Sequence, residues 1–174
     1  MSKKQDYLGI ENHQISEDDV CQYVLERFHD TKQVKKIKNL VNFHTMNKYM
    51  VMAHDQEELK KLGNIVASYK KTPFSEILDY YEKHLRLSLQ NLPTIKKHTN
   101  VILHVFGYFS KNFNQQEKKM FLNLLENYKE EKITLEEILS EINPIIFKFN
   151  NTYLAGQTYF LLYSNSILDI FSHF

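Results

Sequence analysis

The fifteen residues IKNLVNFHTMNKYMV, from Ile37 to Val51, carry the pattern that decides the fold. Ile37, Val41, His44, Lys48 and Val51 fall at intervals of 4, 3, 4 and 3, the period of one helix face. Two of these five positions hold ionisable side chains where a simple core stripe would hold leucine. A second run, Val101-x-x-His104-x-x-x-Tyr108, repeats the substitution. Ionisable groups facing apolar surface are costly unless paired or useful, so both runs are candidate sites.

The helical period extends outward through the chain. Four Gly and three Pro in 174 residues leave few turn residues for a sheet of many hairpins. With 43% hydrophobic and 13% aromatic residues, one core is well supplied. Helix starts are marked by Ser16-x-x-Asp19, Asp55-x-x-Glu58, Asn114-x-x-Glu117 and Thr134-x-x-Glu137, capping boxes or close variants. Thr72-Pro73 and Leu92-Pro93 place proline where a first turn accepts it. These marks predict helices near 17–29, 33–54, 56–70, 73–90, 94–110, 115–129, 135–148, 152–161 and 165–172, with Pro144 kinking or splitting the seventh. The expectation is an all-α, single-domain multi-helix bundle of about seven to nine helices over residues 16–174, behind a flexible N-terminus at 1–15. Gly63 and Gly107 lie inside helical patterns, and close packing of another helix is the expected reason.

No apolar stretch is long enough to span a bilayer, and Met1–Asp6 is polar, without a signal-peptide core. A cytoplasmic chain is expected. Cys21 is the lone cysteine, so an intramolecular disulfide and a cysteine-built zinc or iron–sulfur site are excluded, and its amphipathic setting predicts a packed thiol. No His-x-x-x-His pair occurs and Glu26-x-x-His29 is the one Glu-x-x-His, so neither a metal nor a cofactor is expected. Nucleophile-elbow and phosphate-loop signatures are missing, which disfavours an autonomous hydrolase or NTPase.

The net charge of +1 conceals an asymmetry. Residues 32–119 carry 16 Lys/Arg against 7 Asp/Glu, a balance of +9, while the segments on either side are each at −4. Lys32, Lys35, Lys36 and Lys38 form the densest basic run and lead directly into the His44 helix. A run of this kind either solvates a surface or follows a phosphate backbone. His44 and Lys48 can reach one anionic acceptor, or stand as a satisfied histidine and a snorkelling lysine. His54 suits the carbonyl end of its helix, and His98 and Asn100 begin another. His104 and Tyr108, one turn apart, could relay a proton, stack a base or satisfy each other.

The string Phe43-His44-Thr45-x-x-Lys48-Tyr49-x-x-Met52-Ala53-His54, with Leu62-Gly63-x-x-Val66-Ala67 after it, resembles the opening motif of the YbgA-type domain family. His98-x-Asn100-Val101-x-x-His104-x-x-Gly107-Tyr108-Phe109 resembles its second motif, and Tyr153-Leu154-x-x-Gln157-x-Tyr159 its third. The likeness covers roughly residues 20–165 in order; Met46-Asn47 and Tyr163-Ser164-Asn165 depart from the pattern. The resemblance implies a helical domain, found alone or fused behind a thiouracil desulfidase of the TudS type, that helps to hold tRNA. It makes His44, Lys48, His54, His98, Asn100, His104, Tyr108, Gln157 and Tyr159 the motif residues.

The leading expectation is a non-catalytic accessory domain binding tRNA or other RNA in connection with thiouridine desulfuration. Lys35, Lys36, Lys38 and Lys48 would meet phosphates, while His44, His104 and Tyr108 contact a nucleotide. One alternative is a small-molecule enzyme or sensor with a pocket of His44, Lys48, His104 and Tyr108. Another is an interaction module docking on a separate desulfidase through aromatics around Tyr153–Tyr163.

Overall fold

The computed structural model describes residues 15–149 and 151–164, and every regular element among them is helical. The expected helix at 165–172 and almost all of the expected flexible N-terminus lie outside these residues. The capping residues predicted from sequence are in place. Ser16 caps α1 (Glu17–Val34), with the Asp19 carboxylate accepting in return from the Ser16 N–H. Asp55 accepts from the N–H groups of Glu57 and Glu58, both at 2.9 Å, to start α4 (Gln56–Ala67), which ends in a 3₁₀ turn at Ser68–Lys70. α5 (Phe74–Leu89) follows Pro73, and α6 (Ile95–Phe109) starts at the Thr94 cap. Capping boxes at Asn114 and Thr134 open α7 (Gln115–Lys129) and α8 (Leu135–Lys148).

Two expected helices are split. The stretch predicted as one helix over 33–54 falls into the end of α1, then α2 (Ile37–Met46) and α3 (Lys48–His54). α1 runs further than expected and stops where Lys35 turns into the left-handed region at φ 53°. The next break is at Asn47, whose φ and ψ of −105° and 7° leave the helical region. The Gln157 carboxamide bridges the groups this break exposes: its Nε2 donates to the Thr45 carbonyl at 2.7 Å, and its Oε1 accepts from the Tyr49 N–H at 3.4 Å. The other split divides 152–161 into α9 (Thr152–Ala155) and α10 (Thr158–Tyr163), with Gln157 between them. Thus one residue, itself buried, joins the break between α9 and α10 to the break at Asn47.

α8 continues through Pro144 instead of splitting there. Pro144 and Ser140, whose carbonyl loses its helical donor, are both exposed, so water can replace the missing bond. The inner faces of the helices share a core that includes Val24, Phe28, Leu40, Met50, Leu62, Tyr81, Leu85, Ile102 and Ile138. α4 lies along α5, and α3 packs against α6. Neither Gly63 nor Gly107 is explained by a neighbouring backbone. A Cβ on Gly63 would meet His44 Nε2 at an ordinary 3.7 Å, and one on Gly107 would meet nothing within 4 Å.

Two stability changes follow from these positions. Gly107→Ala is expected to stabilise the protein by about 1 kcal/mol, because helix propensity improves with no clash. Gln157→Leu should cost about 2 kcal/mol by stranding the buried Tyr49 N–H and removing the donor from the part-buried Thr45 carbonyl. Urea unfolding of the two variants checks both signs.

Candidate functional site

The deepest polar cluster is built by α1, α3, α6 and α10. His54, the last residue of α3, is fully buried, and its Nδ1–H donates to the Met50 carbonyl at 2.9 Å, one turn back. This leaves Nε2 facing Glu17 Oε2 at 3.6 Å and Cys21 Sγ at 4.0 Å on α1. Glu17 is held from the other side by Tyr163 of α10, whose hydroxyl donates to both carboxylate oxygens at 2.8 and 3.1 Å. His98 lies in the first turn and a half of α6, with Nδ1 2.8 Å from the Tyr159 hydroxyl. Its ring packs 5.7 Å from that of Tyr159 and 5.2 Å from that of Tyr163.

The electrostatics follow from this packing. Burial works to raise the Glu17 carboxyl, but hydrogen bonds from His54 and Tyr163, with the His54 charge in support, outweigh it and hold the group below its usual value. Burial, opposed by Glu17 and reinforced by His54, brings His98 down to about 4, so its imidazole is neutral at pH 7. Burial pushes the Tyr159 phenol well up. A phenol that keeps its proton needs an acceptor, so Tyr159 O–H donates to His98 Nδ1 and the imidazole proton sits on Nε2. Cys21 is likewise raised by burial and by Glu17 and Asp18, and its S–H points to the Leu89 carbonyl at 3.5 Å. It is a thiol, not an activated nucleophile. The cluster can hold and share protons, and it ties four helices together.

The sequence candidates therefore sort by depth. His54, His98, Gln157 and Tyr159 are buried. The structure pairs His54 with Glu17 and His98 with Tyr159, sets Tyr163 between the two pairs, and uses Gln157 at the helix breaks. His44 turns inward to α4 and α5, where the Tyr81 hydroxyl meets its Nδ1 at 3.0 Å. Burial, with the Lys48 charge in support, lowers the His44 imidazole, so it accepts that hydrogen bond as the neutral form. Lys48 is half-buried, and Asn100 donates to Gln56 Oε1 at 3.1 Å. His104 and Tyr108 are on the exposed side of α6, with the Tyr108 ring 5.6 Å from that of Tyr153. Lys35, Lys36 and Lys38 are exposed. The expected partners are met by other groups: His44 bonds Tyr81 with the Lys48 charge beside it, whereas Tyr108 of α6 meets Tyr49 of α3 and Tyr153.

Glu17, Tyr163 and Tyr81 carry no distinguishing mark in the sequence. Glu17 follows the Ser16 cap and reads as an ordinary first-turn acid. Tyr159 and Tyr163 are one turn apart, a spacing that links them, but they sit in an apolar run that reads as core. Among the described residues, no group of three or more His, Cys, Asp and Glu is placed to hold a metal ion.

His98 makes a pH prediction with a definite sign. The unfolded chain takes up a proton near pH 6.5, whereas the native imidazole resists it down to about 4. Stability is complete above pH 6.5 and falls as pH drops toward 4, by an amount on the order of 3 kcal/mol. His98→Gln should flatten this part of the stability–pH curve measured by chemical denaturation.

Comparison with known proteins agrees with the motif resemblance. The family model described as "Protein of unknown function (DUF1722)" matches residues 48–164, a span that takes in the cluster except for its α1 members. The "Uncharacterized protein YbgA" of Escherichia coli strain K12 is 29% identical over 131 residues, 74% of this chain and 76% of that protein. No solved structure matches. With more than half its length under the family model, and with the YbgA-type motifs in order, the chain belongs to the DUF1722 family.

Proposed function

We propose that this chain is a cytoplasmic, non-catalytic RNA-binding domain that takes hold of tRNA and works beside a thiouridine desulfidase. The observation that carries the reading is the exposed run Lys35, Lys36 and Lys38, to which no ion pair reaches among the described residues. Several other cations are engaged, Lys32 by Asp79 and Glu82, Lys61 by Glu58, Arg86 by Glu82 and Lys148 by Glu117. What marks out Lys35, Lys36 and Lys38 is their closeness in sequence. Unpaired lysines ahead of a half-buried Lys48 offer phosphates a place to replace their counterions. The exposed His104 and Tyr108 add a polar ring and a stacking ring to the outer surface of α6. The choice of tRNA and of a desulfidase partner rests on the YbgA-type motifs. No helix among the described residues is long and apolar enough to cross a membrane.

A pocket enzyme using His44, Lys48, His104 and Tyr108 has less support, because His44 is engaged by Tyr81 and Tyr108 by Tyr49 and Tyr153. The docking reading loses part of its surface as well, since Tyr159 and Phe160 are buried.

Salt-titrated binding of unmodified tRNA tests the proposal. Affinity should fall steeply with salt. Lys35→Glu/Lys36→Glu/Lys38→Glu should weaken it at least tenfold, and should reduce the log–log salt slope by about one for each phosphate no longer neutralised. Binding that is undetectable, or indifferent to salt, would count against the reading.

A further inference from the structure

A hollow of about 220 Å³ opens between the C-terminal end of α1 and the start of α5, lined by Lys32, Lys35, Phe74, Ser75, Leu78 and Asp79. Its lining divides by chemistry. Phe74 and Leu78 present apolar surface, and both belong to the core or pack against it, so this wall is firmly held. Lys32 and Asp79 are joined at 3.3 Å, and Lys32 also reaches Glu82 at 2.8 Å, so these rim charges largely offset one another. Ser75 is exposed. Lys35 differs from the rest. It is exposed, no ion pair reaches it among the described residues, and its φ of 53° is a conformation in which glycine would be unstrained. A glycine would end α1 more easily; the lysine keeps an uncompensated cation beside an apolar hollow.

We propose that this hollow holds one unpaired nucleotide, its base against Phe74 and Leu78 and its phosphate on Lys35, with an RNA strand running on along Lys36 and Lys38. The inference rests on the RNA-binding reading and gives it a location. The volume lies below the roughly 300–1,000 Å³ of pockets for drug-sized ligands, which suits a single base. A base offers a flat face to the Phe74 ring and polar edges to the Ser75 hydroxyl and Asp79 carboxylate at the rim. Lys35, Lys36 and Lys38 supply the positive charge that a continuing phosphodiester chain requires. A base stacked within an A-form duplex could not enter, so the site selects loops and single strands.

The test compares a short single-stranded RNA with a blunt duplex of the same sequence, both followed by fluorescence anisotropy with the full chain. The wild type should prefer the single strand by about tenfold or more. Ser75→Trp, which fills the hollow from an exposed position, should lose about tenfold on the single strand and leave the weaker duplex binding unchanged. Lys35→Gly should weaken single-strand binding while its melting midpoint holds or rises, which separates a missing phosphate partner from a failure to fold. Equal affinity for the two RNAs, or full single-strand binding by Ser75→Trp, would overturn the hollow and leave general RNA binding standing. If neither RNA binds, the RNA reading falls, and titration with adenosine 5′-monophosphate decides the hollow alone. Amide shifts at Phe74, Ser75 and Leu78 would support a nucleotide site, and their absence would overturn it.

Discussion

Two imidazoles with almost no access to water, His54 and His98, impose the requirement around which the bundle is arranged. A buried ring nitrogen without a partner costs more than its hydrogen bond would contribute, so each has to be met by a specific group. α1 supplies Glu17, α10 supplies Tyr159 and Tyr163, and His54 turns to its own Met50 carbonyl. Apolar packing between α3 and α6 tolerates sliding; these polar contacts do not. They select one relative placement of four helices, and the aromatic rings close around that choice.

Most helix positions are legible in the sequence because their signals are local. The pairs Ser16/Asp19, Asn114/Glu117 and Thr134/Glu137 act within one turn, and each starts a helix where the spacing says it should. The break at Asn47 is not legible. Continuous 4, 3, 4, 3 spacing describes an unbroken helix, and the group that compensates the break, Gln157, lies 112 residues from Thr45. The buried cluster is half legible. His54, His98 and Tyr159 are singled out by the motif resemblance, but Glu17, which meets His54 and Tyr163, is indistinguishable from any first-turn acid. Spacing along one helix says which residues share a face; it does not say which face of another helix they meet.

The motif residues also separate architecture from recognition. His54, His98, Gln157 and Tyr159 are interior parts whose hydrogen bonds are used within the chain. A family likeness carried by such residues is foremost a likeness of packing. The surface that the RNA-binding reading uses is that of exposed lysines and the outer side of α6. Only part of that surface falls within the family match at 48–164, because Lys35, Lys36 and Lys38 precede it. Relatives can therefore share the interior and differ in what they hold.

The Tyr163–Glu17 hydrogen bond joins points 146 residues apart in sequence. The first turn of α1 thus touches the last turn of α10, so the two ends of the described helical path meet. A helical unit entered and left at adjoining points, as at Glu17 and Tyr163, tolerates being spliced into a loop of a host protein, since that does not stretch the interior. Synthesis imposes the opposite order. Glu17 is made 146 residues before Tyr163, and it waits in water for that phenol.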